Sequence, residues 1–141
     1  MGAYKPNKGS ISMDNENISK YVKLFSYVPQ TNLLVKGTIK DNIRWGKEDA
    51  TDEEILEALN KIGADKILNK LKSGLDTELG EGGDFLSTGE KQLLSIARAL
   101  LADPKILILD EATSSVDSVT EKDVQDAIST NVLMIQPILT T

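Results

Sequence analysis

Apolar side chains recur at helical spacing in two stretches of this chain and run together unbroken in a third. In the first stretch, Thr51-Asp52-Glu53-Glu54 has the residues of a capping box, where a hydroxyl and a carboxylate satisfy unpaired N–H groups at a helix start. Ile55, Leu56, Leu59 and Ile62 follow as one apolar face that ends at Gly63. In the second, Ser87 and Glu90 form another box, Leu93, Leu94, Ala97 and Leu100 make the buried stripe, and Asp103-Pro104 stops the helix after Leu101. The third, residues 105–109, lacks the alternation of a half-buried strand and predicts a parallel strand buried on both faces.

Weaker patterns fill the remainder. A turn at Tyr4-Lys5-Pro6-Asn7-Lys8-Gly9 leads into Ser10-Ile11-Ser12-Met13, which alternates like a strand. A short helix is expected over Ile18–Leu24 and a strand over Phe25–Val28, stopped by Pro29. A second short helix carries Ile67, Leu68 and Leu71, with Gly74 as its C-terminal cap. Residues 75–85 read as an ordered loop, 120–128 as helix and 132–135 as a possible strand. The order is α/β, with a helical segment inserted between two pieces of sheet.

Composition narrows the function. At 141 residues and 40% hydrophobic content the chain can build one core, and with 4% aromatics that core is aliphatic. A net charge of −6 argues against a nucleic-acid partner, whose phosphates need a concentrated positive face. The chain has no cysteine and no histidine, which removes thiolate chemistry and the usual neutral-pH base. The longest apolar run, 132–139, is broken by Gln136 and Pro137 and is too short to span a bilayer. Gly2 is not followed by the Ser or Thr that myristoylation needs, because position 6 is Pro6. The chain is expected to be soluble and cytosolic unless another subunit tethers it.

Two places carry candidate chemistry. Asp110 and Glu111 end the apolar strand, at the sheet edge where α/β folds put ligands. There Asp110 suits Mg²⁺ and Glu111 suits an attacking water, although the pair alone would equally suit a solvated turn. Ser87, Thr88, Gly89 and Glu90 open a helix whose free N–H groups and positive end attract anions. An ordinary capping box explains the same residues, and the two readings are compatible.

In sequence order these motifs resemble the ATP-binding subunit of ATP-binding-cassette (ABC) transporters. Ile106-Leu107-Ile108-Leu109-Asp110-Glu111, followed by Ala112-Thr113-Ser114-Ser115-Val116-Asp117, is similar to that family's Walker B motif and D-loop. Ser87-Thr88-Gly89-Glu90 resembles the signature motif, with Thr88 in place of a glycine and Glu90 in place of a glutamine. Val28-Pro29-Gln30 resembles the Q-loop. Gly37-Thr38-Ile39-Lys40-Asp41-Asn42-Ile43 and Thr77-Glu78-Leu79-Gly80-Glu81-Gly82-Gly83 look like exporter segments, the latter touching a membrane domain. Trp45 is given no role beyond packing.

The resemblance implies a partial P-loop NTPase fold with a parallel sheet core and an inserted α-helical subdomain. Residues 1–30 would be partial ATPase core with the Q-loop, 31–103 the helical subdomain with the signature, and 104–141 Walker B, D-loop and an atypical tail. It further implies Asp110 and Gln30 as Mg²⁺ contacts, Glu111 acting on water, and Gln30 and Asp117 in coupling. Ser87, Thr88, Gly89 and Glu90 would bind ATP held by a second nucleotide-binding domain. Partners would be that domain and an exporter's membrane domain, on the cytoplasmic side of the membrane.

The chain departs from the family at two points. No Gly-x-x-x-x-Gly-Lys-Ser/Thr loop is present, because Gly46-Lys47 is followed by Glu48 and position 41 is Asp41. Where an Ala-His-Arg switch would follow 132–135 stands Gln136-Pro137-Ile138. The expectation is therefore a truncated subunit with Met1 internal to a longer protein, inactive alone as an ATPase and with an apolar sheet edge exposed. The alternatives are a non-catalytic partner that donates its signature helix in trans, or a truncated gene product with no function of its own.

Overall fold

The computed structural model describes residues 7–10, 12–31, 33–110, 116, 122, 124–126, 128 and 133–135. Its centre is a parallel three-stranded sheet of β3 (Phe25–Val28), β6 (Ile106–Leu109) and β7 (Leu133–Ile135), in the order β3-β6-β7. Phe25 pairs with Ile106 and Val28 with Leu109 on one side, and Ile106 pairs with Leu133 on the other. β6 is thus flanked on both sides, and among the described residues β3 and β7 are the outer strands of this sheet.

The expected burial on both faces is corrected. Val28, Leu107 and Leu109 are buried, while Ile106 and Ile108 are only half-buried and Tyr27 is 50% exposed. Side chains alternate across a strand, so one face packs into the core and the other stays partly open.

Ahead of this sheet, β1 (Ser12–Met13) and β2 (Glu16–Asn17) form a small antiparallel hairpin. Its turn residues Asp14 and Asn15 have φ of 50° and 62°, the left-handed pair that a two-residue hairpin of this hand requires. The short helix expected over Ile18–Leu24 follows, and it is a 3-10 helix.

The helices cover the buried face. α1 (Ile39–Arg44), α2 (Asp52–Lys61), α3 (Asp65–Leu68) and α4 (Thr88–Leu101) follow in order. Thr51 with Glu54 and Ser87 with Glu90 form the two expected capping boxes, and Thr38 with Asp41 adds a third on α1. Ile55, Leu59 and Ile62 are fully buried, but Leu56 is 39% exposed and Ala58 takes its place on the packed face. Gly74 does not cap α3, which ends at Asn69; it starts a short 3-10 turn instead. Asp103, at φ 47°, adopts the left-handed conformation that ends α4 before Pro104.

Polar contacts fix α1 to the segment before it and to α4. Asn42, fully buried, accepts from the Val35 N–H (2.9 Å) and donates to the Val35 and Thr38 carbonyls (2.9 and 3.0 Å). Arg98 donates from Nε to the Asn42 carbonyl (2.8 Å) and from Nη2 to that of Leu33 (3.0 Å). β4 (Gly37–Thr38) pairs antiparallel with β5 (Glu78–Leu79), tying the start of α1 to the 75–85 loop.

Candidate functional site

The carboxyl edge of the sheet is built by the last rung of the β3–β6 ladder. The Asp110 N–H donates to the Val28 carbonyl (3.0 Å), so the acidic residue sits where β3 turns through Pro29 to Gln30. Gln30 is exposed on that turn. The two sequence-predicted metal contacts thus share one edge, although 80 positions separate them in the sequence (110 − 30). Glu111 and Asp117 lie outside the described residues.

Asp110 has a partner that the sequence reading did not name. The Tyr27 hydroxyl donates to Asp110 Oδ2 at 3.0 Å. That hydrogen bond, with some burial and the carboxylate's charge, raises the Tyr27 pKa above an ordinary phenol's. Strand register gave the available signal: Tyr27 lies opposite Ile108, so a two-residue step along β6 brings position 110 onto the same face.

Asp110 and Gln30 offer hard oxygen donors, the chemistry that Mg²⁺ prefers. Among the described residues no cluster of three acidic, histidine or cysteine side chains could hold a metal by itself. The donor set therefore fits a cation that keeps waters and phosphate oxygens in its shell, as Mg²⁺ commonly does.

The second candidate lies at the start of α4. Ser87 Oγ accepts from the Glu90 N–H (3.1 Å), and Glu90 Oε2 accepts from the Ser87 N–H (2.9 Å). Ser87 and Thr88 are exposed, and Gly89 is half-buried. Glu90 is mostly covered, with 20% of its side chain exposed, and its Oε1 pairs with Lys70 Nζ at 3.0 Å. Burial opposes ionisation of Glu90, but the Ser87 N–H and Lys70 together outweigh it and hold the carboxyl below its usual range. The charge at the position of the expected glutamine is thus largely offset. Nothing in the local pattern pointed to Lys70, which arrives from the loop after α3. Among the described residues no hydrogen bond or ion pair joins this turn to Asp110.

Along the outer edge of β3 runs a cleft of about 460 Å³, lined by Tyr27, Leu33, Trp45, Arg98 and neighbours. Trp45 is 64% exposed, with the Arg98 guanidinium 5.5 Å from its ring centroid. Desolvation in this cleft lowers the Arg98 pKa.

A family model described as "ABC transporter" matches residues 1–114. The chain is 44% identical over 131 residues to the uncharacterized ABC transporter ATP-binding protein YfiC of Bacillus subtilis, covering 89% of this chain and 22% of that protein. It is 50% identical over 125 residues to the ATP-dependent permease MDL1 of Candida albicans, covering 84% and 18%. The solved structure of a bacterial Atm1-family ABC exporter with ATP bound matches with a TM-score of 0.86 and 34% identity, over 94% of this chain and 25% of that one. The chain spans about a fifth of the length of these curated relatives.

Proposed function

This chain belongs to the ABC transporter family, and from that premise we propose that it supplies part of the ATP-binding subunit of an exporter. Its fold is the α/β fold of that family's ATP-binding domain, with a parallel sheet and a helical layer. The observation that carries the proposal is the β3–β6 register, which sets Gln30 and Asp110 on one carboxyl edge.

On this reading Asp110, with Gln30 beside it, holds the Mg²⁺ that accompanies ATP. The bound cation would neutralise charge on the β- and γ-phosphates. Glu111 orients the attacking water, and Asp117 couples this edge to its counterpart in a second ATP-binding domain. Ser87, Thr88, Gly89 and Glu90 face the nucleotide held by that second domain, their free N–H groups and helix dipole matching its terminal phosphate. Lys70 supports them by offsetting Glu90. The cleft with exposed Leu33 and Trp45 offers an apolar seat for a helix of the membrane domain. Among the described residues no helix is long and apolar enough to cross a membrane, and we place the chain on the cytoplasmic face, held there by such a domain.

A second reading keeps the same surface without catalysis. The chain has no phosphate loop of the Gly-x-x-x-x-Gly-Lys-Ser/Thr type, yet its signature turn is capped, with Ser87 and Thr88 exposed. It would then act in trans on a complete subunit. Mixing the chain with a purified full-length relative and following ATPase rate tests both readings. A saturable change in rate that Ser87→Arg abolishes supports engagement of the signature turn. A rate indifferent to tens of micromolar chain, with or without Ser87→Arg, argues against both.

A further inference from the structure

Tyr27 and Asp110 come from neighbouring parallel strands and meet on the more open face of the sheet, where Tyr27 lies opposite Ile108 two residues before Asp110. A carboxylate at a strand end has a broad, two-fold torsion about its last bond, so something must fix the direction in which its free oxygen points. We propose that Tyr27 is a positioning residue for Asp110: its hydroxyl clamps Oδ2, stops the carboxylate turning, and reserves Oδ1 for the hydrated divalent cation. This rests on the reading of Asp110 as a metal carboxylate.

The chemistry of the partner supports the assignment. A lysine or arginine at this place would neutralise Asp110 and compete with a cation. A phenol donates one directed hydrogen bond and leaves the full negative charge in place. Ligating carboxylates are commonly held by such outer hydrogen bonds, whose loss weakens metal binding by about 10- to 100-fold.

The test is an NMR titration of the 141-residue chain with Mn²⁺, following paramagnetic broadening of the Gln30 side-chain amide signal. The midpoint in the unaltered chain is expected in the millimolar range, since no phosphate shares the ion. Tyr27→Phe should raise it about tenfold without changing the thermal melt, and Tyr27→Leu should match Tyr27→Phe. If Tyr27→Phe behaves like the unaltered chain while Asp110→Asn abolishes broadening, the positioning role is overturned and the metal carboxylate stands. If Tyr27→Leu alone weakens the effect, ring packing rather than the hydroxyl is responsible, and the proposal is again overturned. If the unaltered chain shows no broadening, or Asp110→Asn leaves it unchanged, the metal reading itself fails and takes this one with it.

Discussion

Replacing Gly46 by alanine should destabilise the chain more than any exposed-surface change. A β-carbon at Gly46 would lie 2.0 Å from the Arg98 carbonyl oxygen and 3.0 Å from its carbon. An ordinary carbon–oxygen contact is about 3.3 Å, so the end of α1 and the body of α4 must part by about 1.3 Å. The obstacle is helix backbone and has no rotamer to escape into. Overpacking of this kind costs about 1–3 kcal/mol. The same separation stretches the Arg98 bonds to the Asn42 and Leu33 carbonyls, now 2.8 and 3.0 Å. Hydrogen bonds from a charged donor are worth about 1.5–3 kcal/mol each, and the lower end suits a partly solvated guanidinium. The total is about 4–6 kcal/mol, a large share of a domain stability of about 5–15 kcal/mol. For 141 residues, at about 2.1 cal/mol/K of unfolding entropy per residue, Tm should fall by about 13–20 °C. Urea unfolding followed by circular dichroism measures it. Gly80→Ala is the control, because nothing lies within 4 Å of its added carbon and its φ is negative. A Gly46→Ala chain within 1 kcal/mol of the original would refute the close approach of α1 to α4.

Asn42→Ala strands the Val35 N–H and the Val35 and Thr38 carbonyls, and should cost about 2–4 kcal/mol; Asn42→Asp, which cannot donate, should fail to restore the urea midpoint. Folded-state pKa values of Glu90, Asp41 and Glu54 are lowered, so each contributes stability above its unfolded pKa of about 4 that is lost as pH falls through the folded value. The urea midpoint should drop as pH falls below about 4, less steeply in Lys70→Ala, which has already lost one cause of the lowering; a midpoint flat to pH 3 would contradict this. The chain alone should show no micromolar, Mg²⁺-dependent binding of a fluorescent ATP analogue, because it offers Asp110 no triphosphate held by a phosphate loop. Tight binding in that titration would overturn the division of labour proposed between this chain and a partner.

What the sequence made legible was local. Ser87 with Glu90, and Thr51 with Glu54, announce helix starts because both partners lie within one turn and the geometry is dictated by unpaired N–H groups. The β3 and β6 segments were legible for a similar reason, since Pro29 stops Phe25-Ser26-Tyr27-Val28 and Asp110 ends the unbroken aliphatic run of β6. Errors arose where a neighbour distant in sequence decides. Ile106 and Ile108 looked as buried as Leu107 and Leu109, yet among the described residues only the face of Leu107 and Leu109 is fully packed. Leu56 fits the apolar face of α2 by spacing alone, but the packing of α4 selects Ala58.

The candidate site divides along the same line. Motif order located Asp110 and the Ser87 turn, but not the groups that tune them, since Tyr27 is 83 positions from Asp110 and Lys70 is 20 from Glu90. Those two partners differ in a way that follows from what each acid must do. Glu90 stands at a helix start proposed to receive a phosphate, and there a bare carboxylate would repel the ligand; a cation beside it removes that penalty. Asp110 is proposed to attract a metal, and there a cation would be a competitor; a neutral hydroxyl orients it and leaves its charge intact. The same residue class thus acquires opposite electrostatic settings from its surroundings. The consistency of those settings with the two proposed roles is a stronger argument than either motif alone.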